Sequence, residues 1–204
     1  MTRTTGERAP ETSRERVLDA AARLFAAHGF HGASMRDIAE QVGMRAASLY
    51  NHFPGKDDML VAIGDRYFAE LAPKLGAIAE RDGDALERLS EMVACAVEVA
   101  LAAPYEHLTL ARDIRLFRDD PRFAEVLEIG RTCTKHWRTV LNQGIQAGAV
   151  RRDVPASDAI WIVYTSITGL VERGFRDGIL DQRSPRSAPA LRAVLIDGLR
   201  SQEK

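Results

Sequence analysis

Apolar residues recur at helical spacing along almost the whole chain, and no stretch alternates apolar and polar residues as a half-buried strand would. A chain patterned this way can bury its stripes only by stacking helix on helix. The expectation is an all-α fold of about nine helices. The 204 residues suffice for a sizeable core.

Local signals divide the pattern. In the first predicted helix Val17, Leu18, Ala21, Leu24 and Phe25 make one stripe, Thr12 and Glu15 have capping-box spacing, and Gly29 supplies a stop. A short second helix starts at Ser34, with Asp37 three residues on; Ile38, Ala39 and Val42 face inward and Gly43 ends it. A third spans 45–52, because Pro54 pushes Phe53 out of the helical region. A fourth runs over 56–81 through Met59, Leu60, Ile63, Tyr67 and Phe68, with Pro73 expected to kink or interrupt it. Longer, more apolar helices are expected at 84–103, 106–118, 121–147, 157–177 and 188–202, with "DGILDQRSPRSAP" as the loop before the last. The organisation is a flexible polar arm at 1–12, a small head at 13–55, and a connecting helix with a larger bundle at 56–204.

Composition narrows the function classes. The net charge is −1, so the chain is no general coat for nucleic acid, and any basic footprint must be local. Through Lys56 there are eight basic residues against six acidic ones. Of these, Arg3, Arg8 and Arg14 either reach an adjacent minor groove or form a solvated tail. Cys95 and Cys133 fit a reducing cytoplasm, and no apolar run has transmembrane or signal-peptide character, so a cytoplasmic protein without a membrane partner is expected. Cys133 with His136, and His28 with His31, have the spacing of paired metal ligands. Neither pair has a third and fourth partner, so no metal and no cofactor are expected. Without a phosphate loop, a nucleophile elbow or a clustered acid and base, an enzyme is not expected.

The segment 34–52 is more specific. Ala39 is small where two helices must approach, Gly43 can take the positive φ of a tight turn, and Leu49 can pack back between the helices. These are the demands of a DNA-binding helix-turn-helix, although an ordinary tight helical hairpin makes the same ones. The following residues add to the pattern. "LYNHFPGKDDML", with the approach "RERVLDAAARLFAAHGFHGASMRDIAEQVGM", resembles the TetR family of transcriptional regulators over about Ser13 to Ile63. That resemblance implies a dimeric all-α regulator, usually a repressor, with this head on double-stranded operator DNA and a small-molecule inducer in the bundle. By the same resemblance Tyr50, His52 and Lys56 hold phosphates, Ser34 and Arg36 contact the DNA backbone, and Arg45, Ala46, Ala47, Ser48 and Asn51 occupy base-reading positions. Their chemistry suits that role: Arg45 can grip guanine, Asn51 can pair with adenine, and the small residues keep the face thin.

In the bundle, Tyr105, His107, Phe117, Trp137, Trp161, Tyr164, Thr165 and Thr168 combine aromatic surface with polar groups, as a mixed ligand pocket requires. Core packing is the other reading of each. Arg112, Arg115 and Arg118 recur every third residue, as either a self-paired solvated face or a mouth for an anion. "HWRTVLNQGIQAGAVRRDV" resembles the TetR branch that represses sterol and fatty-acid breakdown, which implies an acyl-CoA inducer. The alternative is a regulator of efflux or detoxification genes that answers a lipophilic or aromatic compound. Two apolar stripes, Ile160, Val163, Ile167, Leu170 and Val171 with Leu191, Val194, Leu195 and Leu199, either form a homodimer face or bury within one chain.

Overall fold

The computed structural model describes residues 12–113, 118–176 and 187–201. Among the described residues there are nine α-helices, and extended pairing is limited to one isolated antiparallel bridge.

The head comprises α1 (Ser13–His28), α2 (Met35–Gln41) and α3 (Ala46–Tyr50). Local chemistry sets its boundaries. Thr12 and Glu15 form the expected capping box: Glu15 N donates to Thr12 Oγ1 at 3.2 Å and Thr12 N to Glu15 Oε2 at 2.6 Å. Arg14, read as part of the arm, lies instead in the first turn of α1, with its guanidinium 4.5 Å from the centre of the Phe53 ring. Arg3 and Arg8 lie outside the described residues.

The connecting helix α4 (Lys56–Ala79) runs unbroken through Pro73, contrary to the expected kink or interruption. Pro73 and Ala69, whose carbonyl loses its helical donor, are both exposed, so water can serve the freed group. Four helices follow the Asp84 cap: α5 (Ala85–Ala102), α6 (Pro104–Asp113), α7 (Ala124–Gln146) behind a 3-10 turn at Pro121–Phe123, and α8 (Ala156–Arg176). The last is α9 (Ser187–Leu199). Pro104 opens α6 rather than preceding it, because a missing N–H is harmless at a first turn.

Two hydrophobic clusters result. The smaller joins Val17, Phe25, Ile38, Leu49 and Phe53 to Met59, Leu60 and Ile63 from the first two turns of α4. The larger is built on α4, α5 and α7, around Leu75, Leu89, Met92, Trp137 and Val140. Glycine permits close approaches in the bundle: a Cβ at Gly64 of α4 would stand 2.6 Å from Val126 Cγ1 of α7, and one at Gly144 would stand 2.5 Å from Val150 Cγ2. The chain after α7 is tied to the end of α9, Arg151 N donating to Leu199 O and Ser201 N to Ala149 O, each at 2.9 Å.

The apolar stripe of α8 chooses one of its two readings. Ile160, Val163, Ile167 and Val171 are buried against the chain's own core, as is Leu199 of α9. The apolar side chains turned outward are Trp161, Ile162 and Phe175 of α8 and Val194 of α9. No single helix among the described residues is long and apolar enough to cross a membrane.

Candidate nucleic-acid interface and bundle interior

The turn between α2 and α3 is built from short-range bonds. At its start, Asp37 N donates to Ser34 Oγ at 3.2 Å, while the Ser34 hydroxyl and N–H both donate to Asp37 Oδ2, at 2.6 and 2.9 Å. These bonds hold the Asp37 carboxyl below its usual value. The Ser34 hydroxyl is therefore occupied as a cap. At the far end Gly43 takes φ 70°, and Met44 N folds back to Ala39 O at 2.9 Å. Ala39 is 2% exposed and Leu49 is fully buried, so the two helices meet where the small and the large residue allow it.

Burying Leu49 and Phe53 turns the rest of the third helix outward. Arg45, Ala46, Ala47, Tyr50 and Asn51 are exposed, and Ser48 and His52 half-buried. Arg45 is the N-cap residue of α3, with extended backbone and no side-chain cap bond. Arg36 is exposed on α2. The structure thus brings the candidate reading residues onto one edge, with no bulky apolar side chain beyond the Tyr50 ring. Lys56 differs. Its ammonium donates to Phe30 O at 2.7 Å and Ala33 O at 2.6 Å and lies 4.7 Å from the centre of the Phe30 ring. Two of its three donors point into the protein.

A buried polar chain crosses the bundle interior from α4 through α6 to α8. Tyr67 of α4 lies 2.8 Å, hydroxyl to Nδ1, from His107 of α6, whose Nε2 lies 3.1 Å from Thr168 Oγ1 of α8. Burial drives His107 down to about 4, so its imidazole is neutral at pH 7. Burial also raises Tyr67 and Tyr164 above the usual tyrosine range. Trp137 is 1% exposed and packs edge-on against Tyr164, ring centres 6.3 Å apart. Of the sequence-predicted pocket residues, His107, Trp137, Tyr164 and Thr168 therefore share this interior. Tyr67, which sequence reasoning placed only in an apolar stripe, joins them. Its hydroxyl was the available signal, since a buried phenol needs a partner.

The other pocket candidates go elsewhere. Trp161 is 65% exposed. Tyr105 is half-buried, with the Arg23 guanidinium over its ring and donating to its hydroxyl at 2.9 Å. Arg112 donates to Ala26 O at 2.9 Å, so it belongs to the contact between α6 and α1 rather than to an open cationic mouth. Arg118 is exposed, and Arg115 and Phe117 lie outside the described residues. Burial raises both thiols, Cys133 to about 11, which opposes thiolate reactivity. Among the described residues no three His, Cys, Asp or Glu side chains converge as a metal site.

Comparison with known proteins adds context. The model of bacterial regulatory proteins, tetR family, matches residues 17–63, and that of the tetracyclin repressor-like C-terminal domain matches residues 82–172. The chain is 30% identical over 142 residues to the HTH-type transcriptional repressor KstR2 of Rhodococcus jostii, covering 69% of each chain. It is 28% identical over 166 residues to KstR2 of Mycobacterium tuberculosis, covering 81% of this chain and 82% of that one. The solved structure of the latter, a ketosteroid transcriptional regulator, matches with TM-score 0.81 at 24% identity, over 98% of this chain and 100% of that one. FadR from Bacillus subtilis, in complex with stearoyl-CoA, matches with TM-score 0.63 at 18% identity, over 91% and 98%. The two solved structures attest the fold.

Proposed function

The chain belongs to the TetR family of bacterial regulatory proteins, and on that premise we propose a homodimeric repressor released from a palindromic operator by an acyl-CoA derived from lipid or sterol. The observation that carries the DNA-binding part is the thin exposed edge of α3, from Arg45 to Asn51, held above the buried Leu49 and Phe53. A face of small residues lets the backbone approach a groove floor, while Arg45 and Asn51 supply base-specific donors. Tyr50, His52 and Arg36 flank the edge within reach of phosphates.

Support for the ligand comes from the bundle interior and the relatives. Tyr67, neutral His107 and Thr168 place hydrogen-bonding groups within an apolar core, which suits the thioester carbonyl at the head of a long apolar acyl chain. KstR2 of Mycobacterium tuberculosis is a ketosteroid transcriptional regulator, and FadR was solved with stearoyl-CoA. The dimer face in this reading is Trp161, Ile162 and Val194, with Gly169 and Gly198 open to a partner's approach. Two-fold pairing there sets the heads on successive major-groove turns, about 34–36 Å apart. A ligand releases the operator only by its differential affinity for the two head spacings.

One experiment tests the proposal. A duplex is selected from a random library with the full chain, then challenged with palmitoyl-CoA, a steroid acyl-CoA, the corresponding free acids, and a panel of aromatic lipophiles. The expected result is an inverted-repeat site released by a CoA thioester and not by its free acid. Release by aromatic lipophiles alone favours the detoxification reading instead, and failure to enrich any sequence refutes both.

A further inference from the structure

Lys56 and Asp113 grip the two peptide groups that flank Phe30, one on each side of its Cα. Phe30 sits in the turn between α1 and α2 and is 7% exposed. Its N–H donates to Asp113 Oδ2, on the last turn of α6, at 3.1 Å, and Asp113 is itself 6% exposed. Its carbonyl accepts from Lys56 Nζ, on the first turn of α4, which also takes Ala33 O just before α2. Beside this point Arg112 holds Ala26 O at 2.9 Å, and Thr109, fully buried, donates to Ala22 O at 3.3 Å. Positions 109, 112 and 113 of α6 thus meet 22, 26 and 30 of the head, which are spaced four residues apart. Further along, Arg66 of α4 pairs with Asp19 of α1 at 2.7 Å and Glu106 of α6 at 2.5 Å, so the same three elements meet twice.

We propose that the backbone of Phe30 is the joint through which α4 and α6 together set the orientation of α2 and α3, with Lys56 and Asp113 as positioning residues. The α1–α2 turn cannot follow one of these helices without breaking a bond to the other, buried at Asp113 and part-buried at Lys56. An unpartnered buried N–H or carbonyl is costly, so the turn moves only when both helices move together. Lys56 then acts on DNA through the position of the head, and its positive charge serves two carbonyls rather than a phosphate. This rests on the DNA-binding reading above, and half of its test needs no DNA.

The variants are Lys56→Met and Asp113→Ala, which break one grip each, the double variant, and Asp113→Asn, which keeps an oxygen acceptor for Phe30 N. In the full chain without DNA, hydrogen exchange over 28–35 should quicken in either single variant and no further in the double. The α7 core should keep its protection, and Asp113→Asn should resemble the wild type. On the selected duplex each single variant should lose about tenfold in affinity, and the double about the same rather than a hundredfold. The slope of log affinity against log salt should stay unchanged for Lys56→Met. A slope reduced by about 0.9 for each lost contact would make Lys56 a phosphate contact. That result, additive losses in the double variant, or unchanged exchange at 28–35 after Lys56→Met would overturn the joint. If the wild type selects no duplex, the regulatory reading fails while the exchange experiment still decides the joint.

Discussion

The head and the bundle are both helical and both bury leucine, phenylalanine and alanine, yet they are determined over different distances. In the head, the helix caps and the α2–α3 turn are closed by residues three to five apart: Thr12 with Glu15, Ser34 with Asp37, Ala39 with Met44. In the bundle, the distinguishing contacts join residues far apart in sequence, such as Tyr67 with His107 and His107 with Thr168. A reading surface must hold one shape to match DNA, which short-range closure provides. A ligand-responsive interior needs elements that can shift against one another, and contacts between separate helices allow it.

The largest expected effects test whether the two clusters unfold separately. Trp137→Ala empties the centre of the bundle and should cost about 3–5 kcal/mol by urea unfolding. Leu49→Ala should cost about 2–5 kcal/mol, with hydrogen exchange rising in the head peptides while α7 keeps its protection. A uniform rise across both regions would make them one cooperative unit and dissolve the contrast.

Next in size is a pH effect confined to the bundle. Unfolded, His107 titrates at 6.5; folded, burial drives it down to about 4. Below pH 6.5 the unfolded chain therefore binds a proton that the folded chain refuses, and stability falls as the pH drops towards 4. Between pH 7 and pH 5 the loss attributable to His107 should be about 2 kcal/mol. In His107→Gln the difference between the two unfolding curves should shrink by that amount.

Arg45→Ala acts on the head alone. It should reduce discrimination at one base pair by about 1–3 kcal/mol while leaving thermal stability unchanged, as judged by competition between matched and mutated duplexes. Equal discrimination by variant and wild type would remove Arg45 from the reading edge. The smallest effect is at the caps. Ser34→Ala in the head and Asp84→Ala at the start of α5 should each cost about 1 kcal/mol. A cost clearly larger at Ser34 would show that its Asp37 partner adds a term Asp84 lacks.

These particulars separate what could be read in advance. The caps at Thr12 and Ser34, the Gly43 turn, the inward Leu49 and the stop before Pro54 followed from the sequence, because each depends on neighbours within one or two helical turns. Family resemblance extended this to the order of the bundle helices, and supplies the proposal that the exposed edge of α3 reads DNA. Periodicity also showed that α8 has an apolar stripe. It could not say that Ile160, Val163 and Ile167 meet their own core while Trp161 and Ile162 face outward, since a helical period defines faces but names no partner for them.

Only tertiary structure decided the destinations of the long charged side chains. Lys56 was legible as a cation at a helix start, and Arg112 as one member of a row. That Lys56 turns inward to carbonyls 26 and 23 residues earlier, and Arg112 to one 86 residues earlier, depends on where α4 and α6 settle against α1. The sequence by itself determined the helices, the caps and stops of the head, and the thin face of α3. Folding decided which helix holds which, because a flexible four-carbon or guanidinium side chain takes the buried acceptors that packing brings within its reach.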